Sequence, residues 1–454
     1  MSSAAHARDA ADAADADPPT SSSTHTRVVH RVFKFPASDD DEIVRDAYRE
    51  PPGVARKLKG FAFFESMGSP KYHVAPMVDQ SELAFRELCR RHGATLGYTP
   101  MIHARLFMES AKYRREIFST TAGDRPLLAQ FCANDPDVLI EAAKMIAPYC
   151  DGVDINFGCP QRIAKRGNYG AYLMDDWPTV EALIKRLDEE LPVPVTAKIR
   201  VFDDLETTLK YAKMVEAAGA QLVAVHGRTR EQKRCSEYRA NWAFIKRIKE
   251  ELKVPVLANG DVRSFAEAQA CLEATGADGI LSAEPLLSNP ALFSDPPYYP
   301  PPTDGFAPIP LDGTAGVDLL IEYIEICRDY PAPFSSVRGH IWKLVGHWLA
   351  ELVEFRDELN SSNGSSVSME SILDWAKRLR AAVKNIETSN EGRRRPIPKK
   401  TERALAREAA EEAKRAAIAE SQREEDALKE IEANSSGIDT NKRQKIDTPQ
   451  PATA

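Results

Sequence analysis

The chain has 454 residues, of which 43% are apolar and 28% charged, and its formal net charge is −8. These values exclude a wholly disordered chain, a collagen and a bundle of membrane helices, and no apolar run reaches the ~20 residues of a membrane span. An acidic chain does not coat polyanions through its overall charge, although local basic patches remain possible. Seven scattered cysteines without a Cys-x-x-Cys pair favour a reducing compartment, the cytoplasm or the nucleus, and indicate no zinc ribbon.

The two ends of the chain differ in composition from its middle. Residues 1–50 begin as an Ala/Asp/Ser/Thr low-complexity segment, which we expect to form a disordered N-terminal tail. Residues 391–454 form a charged tail, expected to be partly helical or disordered, with a solvated helix or weak coiled coil near 401–432. Its basic clusters leave three interpretations open, namely phosphate contact, nuclear targeting and simple solvation.

Between residues 70 and 295, short β-rich apolar runs alternate with longer amphipathic stretches. The predicted strands are 73–77, 96–100, 127–132, 152–157, 195–200, 222–226, 254–258 and 279–283. Eight strand–helix units predict an α/β fold of the (β/α)8 TIM barrel type. A doubly wound open sheet is the alternative, but it usually has fewer strands and a glycine-rich dinucleotide fingerprint, which this sequence lacks.

A proline-rich stretch at 295–310 predicts an extended linker after the barrel. Helical patterns at 317–330, 335–359 and 369–386 then predict a small all-α domain over residues 311–390. The chain is therefore expected to combine a barrel, a helical domain and two tails.

Polar residues cluster at the carboxyl ends of the predicted barrel strands, where active sites of this fold form. They include Gln130, Asn156, Lys198, Arg200, His226, Asn259 and Asp261. Each by itself is more often a satisfied structural group, but their convergence favours a site for a polar, planar cofactor that carries a phosphate. A reduced flavin is anionic at its pyrimidine end and needs a fixed cation, a role that suits Lys198.

Cys159 follows Gly158 and precedes Pro160 at the end of the fourth predicted strand. A buried cysteine is usually a small apolar residue, and this interpretation stays open. The flanking glycine and proline end the strand at the expected rim, where a thiol with a pKa of ~8.5 can act as a proton donor.

Five motifs together resemble the tRNA-dihydrouridine synthase family. They are VAPMV at 74–78, DINFGCP at 154–160, AKIR at 197–200, HGRT at 226–229 and ANGD at 258–261. The segments QRIAKRGNYGAYL at 161–173 and SAE at 282–284 resemble the eukaryotic branch that acts on D-loop positions 16 and 17. The resemblance is strong over about residues 70–295 and looser to about 350.

On matching residues, the resemblance implies a tightly bound FMN with NADPH or NADH as reductant. The implied FMN contacts are Pro76, Met77, Val78, Gln130, Lys198, His226, Asn259, Gly260, Asp261, Ala283 and Glu284. The implied substrate contacts are Asn156, Arg228 and Arg338. Many bacterial members carry Gly-Arg near Ala283-Glu284, so backbone N–H groups are implied to hold the phosphate here.

The implied reaction adds a hydride from N5 of reduced FMN to C6 of a uridine, while Cys159 protonates C5. The product is 5,6-dihydrouridine in the D-loop of tRNA, and we expect a monomeric enzyme without a metal. The helical domain would bind tRNA through Arg338 and neighbouring bases, with packing as the alternative for His340 and His347. Two other functions stay open: an FMN barrel that reduces a free pyrimidine or another small molecule, and a non-catalytic RNA-binding or scaffold protein.

Overall fold

The computed structural model describes residues 29–36, 46–233, 238–295, 311, 313–361 and 368–389. The predicted linker after residue 295 and the charged C-terminal tail with its basic clusters lie outside the described residues, as does the low-complexity segment at 1–28. None of the described helices is long and apolar enough to cross a membrane.

The strands are β1 (Phe33–Lys34), β2 (Tyr72–Val74), β3 (Leu96–Tyr98), β4 (Ile102–His103), β5 (Ser119–Thr120), β6 (Leu127–Cys132), β7 (Gly152–Asn156), β8 (Val195–Arg200), β9 (Val223–His226), β10 (Val256–Asn259) and β11 (Gly279–Ser282). The helices are α1 (Gly60–Ser66), α2 (Leu83–Arg91), α3 (Ala104–Glu109), α4 (Ala111–Ile117), α5 (Pro136–Ile146), α6 (Arg162–Arg166), α7 (Trp177–Glu190), α8 (Leu205–Ala217), α9 (Trp242–Glu251), α10 (Phe265–Thr275), α11 (Glu284–Ser288), α12 (Ala315–Asp329), α13 (Phe334–Glu351), α14 (Val353–Ser361) and α15 (Met369–Ser389). Short 3-10 helices cover Val54–Arg56, Ala147–Tyr149 and Gly170–Leu173.

Eight parallel strands close into a barrel. The strand order runs β3, β2, β11, β10, β9, β8, β7, β6, and pairing of β6 with β3 closes the ring. Each of the eight predicted strands overlaps one of these strands, so the predicted TIM barrel is confirmed. The short β4 pairs with the carboxyl half of β6 and continues the wall beyond β3.

The helices around the barrel begin at side chains suited to that position. Their N-cap oxygens accept hydrogen bonds from backbone N–H groups of the first turn, at Asp135, Asp176, Asp204, Asn241 and Ser264. These bonds satisfy donors that have no partner within the helix, and they fix where each helix leaves the preceding loop.

Residues of each barrel strand point alternately to the surrounding helices and into the barrel. In β8, Ala197 and Ile199 belong to the large core under the helices, whereas Thr196 bonds to β7 inside the barrel. The barrel interior near the amino ends of the strands is apolar, because Phe63 and Phe64 of α1 pack there with Leu96, Leu128, Leu222 and Leu257. The barrel is thus closed at its amino end, and its polar side chains lie towards the carboxyl end.

The helices α12 to α15 pack beside the barrel. Glu82, just before α2, accepts hydrogen bonds from Tyr323 Oη (2.6 Å) and His340 Nε2 (3.1 Å), which joins α12 and α13 to the barrel. The single helix predicted over 335–359 is wrong, because the chain breaks at Leu352 into α13 and α14. The break lets Phe355 pack edge-to-face against Trp375 of α15.

The N-terminal tail predicted over residues 1–50 extends too far into the folded chain. Strand β1 pairs antiparallel with β5, and Phe33 is only 1% exposed. The Phe33 ring stacks on Tyr149 with 3.8 Å between centroids. Its apolar surface therefore belongs to the core, a contact between distant segments that local composition did not reveal.

Candidate functional site

A cleft of about 220 Å³ opens at the carboxyl end of the barrel. Nine of the residues that the sequence singled out line it: Pro76, Lys198, His226, Arg228, Asn259, Gly260, Asp261, Ala283 and Glu284. Lys233 and Arg263, which the strand pattern did not select, also line the cleft. The cleft therefore combines cations with amide and backbone groups and with the carboxylates of Asp261 and Glu284. Since Arg228 pairs with Asp261 and Lys343 with Glu284, Lys198 and Lys233 still suit an anionic polar ligand.

Three of the residues expected to contact FMN do not line this cleft. Gln130 is fully buried within β6. Met77 is partly buried, and Val78 is 49% exposed, in the turn that follows β2. Ser81 holds this turn, since its hydroxyl oxygen accepts from the Met77 N–H at 3.0 Å and the hydroxyl donates to the Met77 carbonyl at 3.2 Å.

Asn156 fixes the loop that carries Cys159. Its Oδ1 accepts hydrogen bonds from the backbone N–H groups of Gly158 (3.0 Å) and Cys159 (2.8 Å). The carbonyl of Cys159 accepts from the Ala171 N–H at 3.1 Å. Gly170 has φ +65°, and a Cβ there would lie 2.8 Å from the Cys159 carbonyl oxygen. The chain can therefore pass this close to Cys159 only with glycine at position 170.

Cys159 differs from the five other cysteines in the described part of the chain. It is a free, partly exposed thiol, whereas Cys89, Cys132, Cys150, Cys271 and Cys327 are buried. Burial raises the pKa of buried thiols such as Cys132 and Cys150 to about 12, which leaves them unreactive at neutral pH. Exposure therefore distinguishes Cys159 from these cysteines, although it also packs against Cys132 and Tyr169, and its role as a proton donor stays a prediction.

Lys198 supplies a cation inside the barrel mouth. Among the described residues, its ammonium makes no hydrogen bond or ion pair with a protein group. Burial lowers the pKa of Lys198 to about 8; Arg200 adds to this effect, and Asp154 opposes it. The side chain is therefore still largely protonated at pH 7 and is available to an anionic ligand.

His226, Arg228 and Asp261 form one hydrogen-bonded group along the wall of the cleft. Arg228 Nη1 lies 2.8 Å from His226 Nε2, and its Nη2 pairs with the Asp261 carboxylate. Because a guanidinium can only donate, His226 Nε2 must accept, and the ring proton lies on Nδ1. Burial and neighbouring cations hold the pKa of His226 well below its ordinary value, so the ring is neutral.

Of the predicted substrate contacts, Arg228 lines the cleft and Arg338 does not, and the role of both towards a substrate stays a prediction. Arg228 is only 3% exposed and also donates from Nε to the Tyr238 carbonyl at 2.8 Å, so its guanidinium is already engaged. Arg338 does not line the cleft; its Nη2 donates to Asn360 Oδ1 at 2.7 Å. From α13 it is Lys343 that approaches the cleft, through an ion pair with Glu284 at 3.4 Å.

The sequence also offers Lys377, Arg378 and Arg380 of the helical domain for RNA contact; Lys377 is exposed, whereas other basic groups there are paired or buried. His340 is fully buried and stacks on Phe85, so packing explains it. Arg378 pairs with Glu358 and Asp374, and Arg380 pairs with Asp318. By contrast, Arg162, Lys165 and Arg166 of α6, directly after Cys159-Pro160, are exposed and form no ion pair within the described structure.

The described residues contain no group of three or more His, Cys, Asp or Glu side chains that could hold a metal ion.

Comparison with known proteins indicates the same family as the motifs do. The dihydrouridine synthase (Dus) family model matches residues 73–378. A rat protein (Rattus norvegicus) named tRNA-dihydrouridine(16/17) synthase NAD(P)(+)-like is 46% identical over 306 residues, 67% of this chain and 66% of the rat protein. The tRNA-dihydrouridine(16/17) synthase NAD(P)(+) of Schizosaccharomyces pombe is 44% identical over 316 residues, 67% of this chain and 77% of that protein.

The protein of the same name from Saccharomyces cerevisiae is 43% identical over 328 residues, 69% of this chain and 74% of that protein. The match spans just under two thirds of the rat relative's length. An old yellow enzyme homologue of known structure from Zymomonas mobilis aligns at 16% identity with a TM-score of 0.35, over 48% of this chain and 86% of that chain, a similarity too low to support a conclusion. Since the family model covers most of the barrel and the helices beside it, this chain belongs to the dihydrouridine synthase family.

Proposed function

We propose that this chain is an FMN-dependent tRNA-dihydrouridine synthase that reduces uridines at positions 16 and 17 of the tRNA D-loop. The observation that carries the proposal is the partly exposed Cys159, held by Asn156 at the barrel rim beside the cleft that contains Lys198. The names of the relatives support the substrate, the two positions and a nicotinamide reductant.

The residues around the cleft fit FMN. The Lys198 ammonium, which has no partner among the described residues, suits the anionic end of a reduced flavin, and Lys233 offers a cation for its phosphate. Arg263 also borders the cleft, but its guanidinium is paired with Glu267. Gly260 has φ +115°, and a Cβ there would lie 2.6 Å from the Cβ of Ala240, so glycine is required where the chain borders the cleft. When bound and reduced by NADPH or NADH, FMN supplies the hydride that adds to C6 of the uracil ring.

Cys159 provides the second hydrogen of the reaction. Its thiol donates a proton to C5 of the uracil ring, so that one hydride and one proton saturate the C5–C6 bond, and solvent then reprotonates the thiolate. Asn156 and Arg200 hold the two edges of the peptide group between Gly158 and Cys159, which keeps the donor in place without occupying the sulfur.

The exposed cations of α6 supply the local attraction that an acidic chain needs to bind RNA. Arg162, Lys165 and Arg166 lie next to Cys159 and would contact phosphates that flank the target uridine. The exposed Ile163, 55% accessible, lies among them and would contact an unstacked base or sugar. The uridine must leave its stack to reach the cleft, and D-loop bases do so at low cost.

The test replaces Cys159 with Ala and uses Cys271→Ala as the matched control, since Cys271 is buried in α10. tRNA from cells that lack this protein serves as substrate, and dihydrouridine at positions 16 and 17 is measured by mass spectrometry. Loss of the acid should lower turnover by about 10² or more, while the protein stays yellow and NADPH still bleaches it. The control should behave as wild type.

Three outcomes would contradict the proposal. Full activity of Cys159→Ala would remove the thiol from the mechanism. A colourless protein that takes up no FMN would favour a non-catalytic scaffold. Turnover of free uridine as fast as that of tRNA would favour a reductase for small pyrimidines.

A further inference from the structure

Asp154 is a fully buried acid inside the barrel, and neither the motifs nor the proposed chemistry gives it a task. It lies in β7, two residues before Asn156, so both side chains point into the barrel. In the strand register it faces Gln130 of β6 on one side and Thr196 of β8 on the other. This placement connects three adjacent strands below the site.

An unbroken chain of hydrogen bonds leads from Asp154 to Cys159. Thr196 Oγ1 donates to Asp154 Oδ1 at 2.6 Å, and Gln130 Nε2 donates to Asp154 Oδ2 at 2.8 Å. Asn156 Nδ2 donates to Gln130 Oε1 at 2.8 Å. Asn156 Oδ1 then accepts from the backbone N–H groups of Gly158 and Cys159.

The carboxylate determines the direction of every bond in this chain. An ionised Asp154 can only accept, so Gln130 must turn its nitrogen towards it and its oxygen towards Asn156. Asn156 must then present its nitrogen to Gln130 and its oxygen to the Cys159 loop. An amide at position 154 would permit both side-chain amides to turn over, and Asn156 would then direct N–H groups at the loop's N–H groups.

We infer that Asp154 is a positioning residue that holds the Cys159 loop through Gln130 and Asn156. Its burial is costly for folding, because desolvation raises the pKa of Asp154 to about 6 although Thr196 and Gln130 stabilise the ionised form. A residue needed only for packing would carry no such cost. The groups that face it are Thr196, Gln130 and, through charge, Lys198 and the buried Tyr98, whose pKa the Asp154 charge helps to raise.

The test compares Asp154→Asn with Thr275→Val in the FMN-loaded protein. Both variants are close in volume to the native residue and change a buried polar group, but Thr275 lies in α10, where its hydroxyl donates to the Cys271 carbonyl and takes no part in the hydrogen-bond chain. The first readout is the rate at which iodoacetamide alkylates Cys159, followed on its own peptide by mass spectrometry. We expect Asp154→Asn to raise this rate about fivefold or more, because the loop loses its acceptor, and Thr275→Val to leave it within twofold.

A second readout rests on the proposed function. Asp154→Asn should lower kcat for tRNA by about tenfold or more with KM and FMN content unchanged, since misplacing a donor affects the chemical step. The alkylation readout does not depend on that function. If Cys159→Ala keeps full activity while Asp154→Asn still changes alkylation, the function is wrong and the positioning role stands.

A charge swap provides the rescue. In the double variant Asp154→Asn with Asn156→Asp, Asn at 154 donates to Gln130, and Gln130 donates to the new carboxylate, which still accepts from the loop N–H groups. Its Cys159 alkylation rate should return to within twofold of wild type. The inference is overturned if Asp154→Asn reacts as wild type, if Thr275→Val reacts like Asp154→Asn, or if the swap does not restore the rate. If Asp154→Asn does not fold, the double variant alone tests the inference. A double variant that folds and is alkylated at the wild-type rate supports the inference, and one that does not overturns it.

Discussion

Arg200 Nε donates a hydrogen bond to the carbonyl oxygen of Gly158 at 2.6 Å, on the side of the Cys159 loop opposite to Asn156. Its Nη1 donates to the carbonyl of Thr229 at 2.7 Å and so joins the loops after β7 and β9. Burial lowers the pKa of Arg200 to about 10, and Arg228 adds to the effect, so the guanidinium stays charged at neutral pH. One buried side chain therefore fixes two loops at the mouth of the barrel.

Replacing Arg200 with Lys should keep the charge but lose the fork of donors that reaches both carbonyls. We expect kcat for tRNA reduction to fall about 10- to 100-fold with little change in FMN content, because a small displacement of Cys159 slows proton transfer. Steady-state kinetics measure kcat, and flavin absorbance measures the FMN content. Arg247→Lys, on the outer face of α9, is the control and should retain wild-type kinetics. Wild-type kcat in Arg200→Lys would contradict the bracing role.

Neutralising Arg162, Lys165 and Arg166 of α6 to Gln should weaken tRNA binding and reduce its salt dependence. Three phosphate contacts with a single strand contribute a slope of about −2 in a plot of log K against log salt concentration, and this contribution should disappear. Filter binding at salt concentrations from about 50 to 200 mM measures this slope. The matched control changes Lys185, Lys246 and Lys253, exposed lysines remote from Cys159 in sequence, and should leave the slope unchanged. Equal slopes in both triple variants would place the RNA contact elsewhere.

The Glu82 carboxylate should stabilise the attachment of the helices to the barrel. Although burial raises its pKa, His340 and Tyr323 more than offset this, so the pKa of Glu82 lies below its ordinary value and the group is ionised. Glu82→Gln should lower the free energy of unfolding by about 1–3 kcal/mol, because it leaves buried partners poorly satisfied. A double-mutant cycle with Tyr323→Phe, followed by urea denaturation, should give a coupling energy of about 0.5–3 kcal/mol. Additive effects of the two substitutions would show that they do not act together.

His73 should make the protein less stable in acid. It is fully buried, with Nε2 bonded to the Pro70 carbonyl at 2.7 Å, and burial lowers its pKa to about 4. The unfolded chain takes up this proton near pH 6.5, so the stability is complete above that pH and is lost as the pH falls to 4. The loss amounts to about 3 kcal/mol.

His73→Gln removes the titrating group and keeps a donor for the Pro70 carbonyl. Urea denaturation at pH 7 and pH 4 should therefore show the advantage of wild type over the variant shrinking by about 3 kcal/mol at the lower pH. Other titrating groups, Asp154 included, are common to both proteins and cancel in the difference. A difference that stays constant with pH would mean that His73 is protonated as readily in the folded state as in the unfolded state.

The motifs predicted the mouth of the barrel well because they lie at strand ends. Lys198, His226 and Asn259 were selected from their positions alone, and the closed sheet brings all three to one cleft. Lys233 and Arg263 were missed because they lie in loops whose course a strand pattern does not specify. A search for cations within a few residues of each strand end would have found both.

The sequence by itself determined the barrel, since eight short apolar β-rich runs with amphipathic helices between them leave few other ways to bury the apolar faces. It also determined which residues reach the rim, because a strand end has a fixed place in a parallel barrel. Only the tertiary structure decided what these residues bond to. Gln130, Asp154 and Asn156 interact because the register places β6 beside β7, and that register is a property of the closed sheet. Arg228 pairs with Asp261 for a similar reason, since β9 and β10 lie side by side in the sheet and the loops that follow them meet at the same rim.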